Sequence, residues 1–323
     1  MCNKIIHLTI SKRRYGGGVY GSYISKLSGI ETEALIETNS SNKFVKLLQF
    51  IINLYRFSIK HKRATVIRNL DGCFFMKKSQ KNIVVFHHHH PVKSNKLIAL
   101  YQKFVYWNFL KKFSKFDKVV VVSRYWQKHF EELGYFNTEL IYNPFDINLY
   151  RKRRDNTFND FLMKYSLDPH KPIVYIGNPQ IEKGADIAYE ALKDLDIQMV
   201  STGIKHIDLP VIHLELSFDE YITLLQISTI SVLMSRINEG WNRVALESIL
   251  CGTPVIGSGK GGMKELLVGA KQYICEEPKK LREIVVEVLK KPVIDEYSME
   301  YAYSFSLERF NRAWEELLYE DKR

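Results

Sequence analysis

Short apolar runs alternate with longer amphipathic ones along the whole chain. Ile5-Ile6-His7-Leu8, Thr65-Val66-Ile67, Ile83-Val84-Val85-Phe86 and Val119-Val120-Val121-Val122 each read as a strand. They are nearly continuous in apolar residues and have helical segments between them, which predicts a parallel sheet covered on both faces. The first of these helices spans residues 19–27, after the glycine turn Tyr15-Gly16-Gly17-Gly18. The pattern then repeats. Residues 173–177, 197–201 and 230–233 predict strands, and residues 185–195 and 218–228 predict helices. Val244 to Leu250 predicts a short buried helix. Gly252 stops that helix, and Pro254 opens the strand Val255-Ile256-Gly257. Residues 297–319 predict a last helix anchored by Phe305, Phe310 and Trp314.

Two helical segments differ from the rest. Residues 43–63 and 96–118 are long, basic and rich in Leu, Ile, Phe, Tyr and Trp. Such helices either pack one face on a sheet or lie in an anionic membrane interface, and the pattern leaves both open.

A length of 323 residues allows two domains, and 46% hydrophobic with 26% charged residues describes a globular chain. Residues 1–150 hold 24 Lys and Arg against 9 Asp and Glu, a net +15. Residues 151–323 hold 23 against 27, a net −4. The first half therefore faces something anionic: nucleic acid, a membrane surface or a phosphorylated lipid. Cys2, Cys73, Cys251 and Cys275 are scattered, which fits a reducing compartment and excludes a disulfide framework. No run of about 18 uncharged apolar residues predicts a membrane span. The opening residues read as a strand rather than a signal peptide. The expected location is cytoplasmic, with peripheral contact at the inner membrane face.

Candidate chemistry concentrates in residues 239–262. Glu239 and Glu247 stand eight apart across a loop-to-helix junction, followed by the glycine turn Gly259-Lys260-Gly261-Gly262. A helix N-terminus with a glycine turn nearby holds anions, and carboxylates accept hydrogen bonds from hydroxyls. Together these predict a phosphate-plus-polyol ligand, a nucleotide sugar.

With Cys251-Gly252-Thr253-Pro254-Val255, Ser258, Gly261, Gly262 and Glu265, this block resembles the E-x7-E signature of retaining glycosyltransferases with the GT-B fold, family 4 in particular. The resemblance implies two Rossmann-like domains with parallel sheets facing across a cleft. Residues 1–150 would be the acceptor side, 151–300 the donor side, and 301–323 a helix returning to the first domain. Residues 176–184 are similar to the family's phosphate-gripping G-R-x-x-x-x-K-G loop, with Gly177, Lys183 and Gly184 matching and Asn178 replacing the arginine.

By resemblance, Glu247 accepts from the ribose, Glu239 lies near the anomeric carbon, and Lys183 stabilises the leaving diphosphate. Trp241 and Asn242 replace Phe-Gly, and their backbone amides and that of Val244 remain donor-binding candidates. Arg243, four residues before Glu247, is the candidate to replace the charge missing at Asn178. Gly17 matches the glycine loop of the first domain. Asn143-Pro144-Phe145-Asp146 looks like the N-G-V-D segment near the hinge. In His87-His88-His89-His90, His88 or His89 is expected to approach the donor sugar. Asp194-Leu195-Asp196 falls between a helix and a strand, so no divalent metal and no cofactor is expected.

The expected activity is transfer of a sugar from a nucleotide-diphosphate sugar to a glycan or lipid-linked acceptor, in envelope polysaccharide assembly. The alternatives are a sugar-nucleotide epimerase, a catalytically silent sugar-nucleotide-binding subunit, and a basic nucleic-acid-binding protein. No nucleic-acid motif supports the last.

Overall fold

The computed structural model describes residues 4–9, 16–35, 42–90, 96–151 and 157–319. Cys2, Tyr15, Pro91 and residues 152–156 of the polar run after the first domain lie outside them. The chain divides into a unit of residues 1–142 with 313–323 and a unit of residues 143–312.

The first unit is built from β1 (Ile5–Thr9), α1 (Gly16–Ile24), β2 (Ile30–Ala34), α2 (Lys43–Lys60), β3 (Thr65–Arg68), β4 (Lys81–Phe86), α3 (Lys96–Lys111), β5 (Lys118–Val121), α4 (Arg124–Glu132) and β6 (Thr138–Leu140). Its six strands are all parallel, in the order β2-β1-β3-β4-β5-β6. The central strands β3 and β5 are buried almost throughout, as their unbroken apolar runs predict. The edge strand β2 reads Ile-Glu-Thr-Glu-Ala and is half exposed, so hydrophobicity gave no sign of it. The chain's end joins this unit, with Trp314 fully buried edge-on to Tyr20.

The second unit comprises α5 (Thr157–Lys164), β7 (Ile173–Tyr175), α6 (Ala185–Leu192), β8 (Gln198–Thr202), β9 (Ile212–Leu214), α7 (Phe218–Ile227), β10 (Ile230–Leu233), α8 (Arg243–Leu250), β11 (Val255–Gly257), α9 (Gly262–Gly269), β12 (Tyr273–Ile274), α10 (Leu281–Lys290), α11 (Glu296–Tyr303) and the start of α12 (Leu307–Tyr319), whose residues from Ala313 on belong to the first unit. Here too six parallel strands form one sheet, ordered β12-β11-β10-β7-β8-β9. Its core joins Val174, Val232 and Ile256 of the sheet to Ala188 and Leu192 of α6 and Val285 of α10. Crossover helices between parallel strands put every βα turn at the same sheet edge, where ligands bind in such folds.

Three elements depart from the hydrophobic pattern. The last helix is two: α11 stops before Phe305, whose carbonyl accepts from Phe145 N–H, and α12 restarts at Leu307. The segment 96–118 is helical only to Lys111, and Lys118 already opens β5. Gly16, Gly17 and Gly18 form the first turn of α1 rather than a loop before it.

Candidate active site

The chemistry expected from the second half gathers at the βα turns of the second unit. After β7 the chain turns through Gly177, at φ +73°. Asn178 follows, with its amide lying against Gly203. Gly184 sits at φ +71° as the N-cap of α6, and a β-carbon there would lie 1.9 Å from the Met234 carbonyl oxygen. Only glycine lets this loop approach the end of β10 so closely. Arg236 fixes the same loop from the other side. Its N–H donates to Glu182 O, and its guanidinium donates to Ile181 O and to both oxygens of Asp186 at 2.5 and 2.7 Å. Arg236 holds the Asp186 carboxyl below the usual carboxylate range.

Lys183 is carried by that loop, and its ammonium donates to Glu239 Oε1 at 2.8 Å. Glu239 is 4% exposed. Its backbone is locked to the glycine turn after β11: Glu239 N–H donates to Lys260 O, and Glu239 O accepts from Gly262 N–H at 2.9 Å. Gly261 has φ +64°, and a β-carbon there would stand 2.4 Å from Glu239 O. The glycines of the turn thus make room for a glutamate.

α8 begins two residues after Trp241. Asn242 adopts a left-handed conformation at φ +65°, and its side chain accepts from Ala245 N–H at 3.0 Å, capping the helix. Trp241 is buried, its ring 4.9 Å from Phe305. The indole is therefore committed to core packing. Val244 lies half-buried in the first turn of α8.

Glu247, one turn further along α8, is buried and held by three groups. Tyr221 O–H donates to Oε2 at 2.9 Å, and Tyr150 O–H and Arg243 Nη2 reach Oε1 at 3.3 and 3.4 Å. Burial and the Glu247 charge push the Tyr221 phenol well above its usual range, so it stays a donor. The Arg243 guanidinium also donates to Pro144 O at 3.2 Å and lies 4.2 Å from the Phe145 ring centroid. Arg243 thus ties the segment 144–150 to Glu247.

In the first unit, Gly17 packs against His87. A β-carbon on Gly17 would come 3.2 Å from that ring. His87 is the first residue beyond β4 and meets Tyr20 edge-on at 5.0 Å. His88 is exposed. His89 stacks on Tyr106 at 4.1 Å, and the Tyr106 hydroxyl lies 3.1 Å from His129 Nε2. Burial, then the neighbouring His88 and His90, lower the His89 pKa to about 4, so it is neutral near pH 7.

Four functional candidates escaped the sequence reading. His87 was passed over because the strand end could not be fixed within the four-histidine run. Tyr221, Tyr150 and Arg236 carry no motif spacing. Asp194 and Asp196 pair separately, with Arg282 and Lys171. Among the described residues no three His, Cys, Asp or Glu side chains are grouped to hold a metal.

Residues 164–305 match the family described as glycosyl transferases group 1. An uncharacterized glycosyltransferase of Methanocaldococcus jannaschii is 26% identical over an alignment of 213 residues, and the match covers 60% of this chain and 56% of that protein. The chain thus spans little more than half the length of this curated relative. Among solved structures, Anabaena HepE in complex with UDP and glucose superposes with a TM-score of 0.78 at 17% identity, covering 98% of this chain and 99% of that one. Sucrose-phosphate synthase of Thermosynechococcus elongatus gives a TM-score of 0.75 at 15% identity, covering 99% of each chain. The chain has the GT-B fold, and its residues 164–305 match the model of the group 1 glycosyl transferase family.

Proposed function

We propose that this protein moves a sugar from a nucleotide-diphosphate sugar to a glycan or lipid-linked acceptor, with retention of the anomeric configuration. The observation that carries the proposal is the Lys183–Glu239 pair, seated on two glycine-enforced turns of the unit that also holds the buried Glu247. A lysine held at rest by a carboxylate is already positioned for a diphosphate. On donor binding the phosphate oxygens take over its ammonium, and Glu239 is released to the sugar hydroxyls. Glu247, oriented by Tyr221, accepts from the ribose. The bond from the anomeric carbon to the phosphate oxygen breaks, and the acceptor oxygen bonds to the same carbon from the same face. The acceptor's proton leaves with the diphosphate. Lys183 stabilises the charge that develops there, the largest single contribution in reactions of this type.

The Anabaena relative was solved with UDP, which makes UDP-sugars the first donors to test. The proposed acceptor belongs to envelope polysaccharide assembly and lies at a membrane surface on the cytoplasmic side, in keeping with the +15 charge of residues 1–150. No divalent metal takes part in the proposed step, because Lys183 already provides the positive charge.

A thermal-shift panel of UDP-, GDP-, ADP-, CMP- and dTDP-sugars tests the donor reading, with Glu247→Ala as the control. The expected outcome is a rise in Tm with one nucleotide that disappears in the variant. A rise without donor hydrolysis would favour a silent binding subunit instead, and no rise with any of them would overturn the donor reading.

A further inference from the structure

The first unit carries a surface that its own core does not use. α2 buries Leu54 and Phe57 in the cluster that holds Ile6, Leu8 and Val66. Its other side presents Leu47, Leu48, Ile51 and Ile52 to solvent, each between 39% and 49% exposed. α3 likewise buries Phe109 and exposes Leu100, Phe104 and Trp107, each by half or more. The turn between β3 and β4 joins the two. Phe75 meets Tyr55 of α2 at 5.8 Å, and Phe74 stacks on Phe104 of α3 at 5.8 Å. Phe104 in turn stacks on Trp107 at 5.8 Å. Two helices far apart in sequence thus share one aromatic seam within a single apolar surface. A contiguous exposed patch of this kind marks an interaction site.

Charge identifies the partner. Residues 38–116 contain sixteen Lys and Arg and one acidic residue, Asp71. Neither α2 nor α3 contains a carboxylate. Lys111 lies 3.9 Å from the Trp107 ring centroid, and Lys77 lies 5.6 Å from that of Tyr55. Aromatic rings and lysine stems side by side are the usual anchors of the headgroup layer. Nucleic acid would use the cations but has no use for exposed Leu and Ile. A second copy of the chain would use the apolar side chains but bring like charge against like.

We infer that α2, the Phe74-Phe75 turn and α3 form one surface that docks on an anionic lipid bilayer. The aliphatic and aromatic side chains enter the headgroup–acyl boundary, and the lysines meet acidic headgroups. No helix among the described residues is long and apolar enough to cross a membrane, so the contact is peripheral. The surface belongs to the first unit alone and does not depend on the identity of the donor.

Co-sedimentation of the full chain with vesicles tests the inference. Vesicles of phosphatidylcholine with phosphatidylglycerol should bind it at low salt, and vesicles of phosphatidylcholine alone about tenfold less strongly. The double variant Leu48→Glu, Ile52→Glu should weaken anionic binding about tenfold or more. Val268→Glu, at a position 60% exposed on the second unit, should leave it unchanged. Equal binding to both vesicle types would overturn the inference, as would indifference to the double variant. So would a concentration-dependent dimer that the double variant dissolves. UDP-sugar thermal shifts on the same samples report the donor site separately, so failure of one reading does not disguise failure of the other.

Discussion

The two units share an architecture and differ in what they do with their surfaces. Each is a sheet of six parallel strands with helices. In the second, charges meet in pairs at the βα turns: Lys183 with Glu239, Arg243 with Glu247, and Arg236 with Asp186. In the first, the strong cations of α2 and α3 have no carboxylate on their own helix, and large apolar side chains face outward. Paired buried charge holds polar ligand atoms in one geometry. An excess of cations beside exposed apolar surface attracts an extended anionic layer without fixing its geometry. On the readings proposed above, the same fold serves a precise site in one half and an adhesive face in the other.

The sharpest way to break this contrast is Lys183→Ala. It removes the ammonium that pairs with Glu239 and the charge proposed for the leaving diphosphate. The expected loss in kcat is about 10²–10³-fold, the scale of deleting one preorganised transition-state donor. Binding to anionic vesicles should not change. A variant with near-normal turnover would mean that another group supports the diphosphate.

Much of this contrast was already written in the sequence, but unevenly. Central strands such as Val119–Val122 were legible because burial on both faces demands an unbroken apolar run. The edge strand Ile30–Ala34 was not, since it borrows its stability from pairing with β1 and has polar residues on its open side. The break at Phe305 was invisible because it is set by a backbone bond to Phe145, 160 positions away. Lys183, Glu239 and Glu247 were singled out by resemblance to family motifs whose spacing is local along the chain. Tyr150 was not, since it reaches Glu247 across 97 residues. The seam joining α2 to α3 also lay beyond the pattern. Each helix read as amphipathic by itself, and only the fold places Phe74 and Phe75 between them.

Acid separates the units by a smaller amount. His7 lies within β1, its Nδ1 2.8 Å from the Ser25 hydroxyl, and burial lowers its pKa to about 4. The folded chain keeps it neutral between pH 6.5 and 4, while the unfolded chain binds a proton there. Stability of the first unit is therefore full above pH 6.5 and declines as the pH falls toward 4. From this group the loss approaches about 3 kcal/mol at the acid end. Calorimetry from pH 7 to pH 4 should show a steeper fall in Tm for the natural chain than for His7→Asn. Equal slopes would show that His7 does not govern the acid response.

The smallest expected effect probes how finely the second unit sets its carboxylates. Tyr221 O–H donates to Glu247 Oε2 at 2.9 Å and, with its pKa raised by burial, remains protonated across the working range. Tyr221→Phe keeps the ring that packs 6.1 Å from Tyr175 and removes only the donor. Glu247 then retains Tyr150 and Arg243 on its other oxygen, both at longer range. A hydrogen bond to a charged group contributes about 1.5–3 kcal/mol, so its loss should raise KM for the donor about tenfold or somewhat more. In the proposed reaction Glu239 and Lys183 serve the anomeric carbon, so kcat should hold within about twofold, the mark of uniform binding. A fall in kcat with unchanged KM would place Tyr221 in the reacting geometry. Unchanged values of both would mean that Tyr150 and Arg243 suffice to orient Glu247.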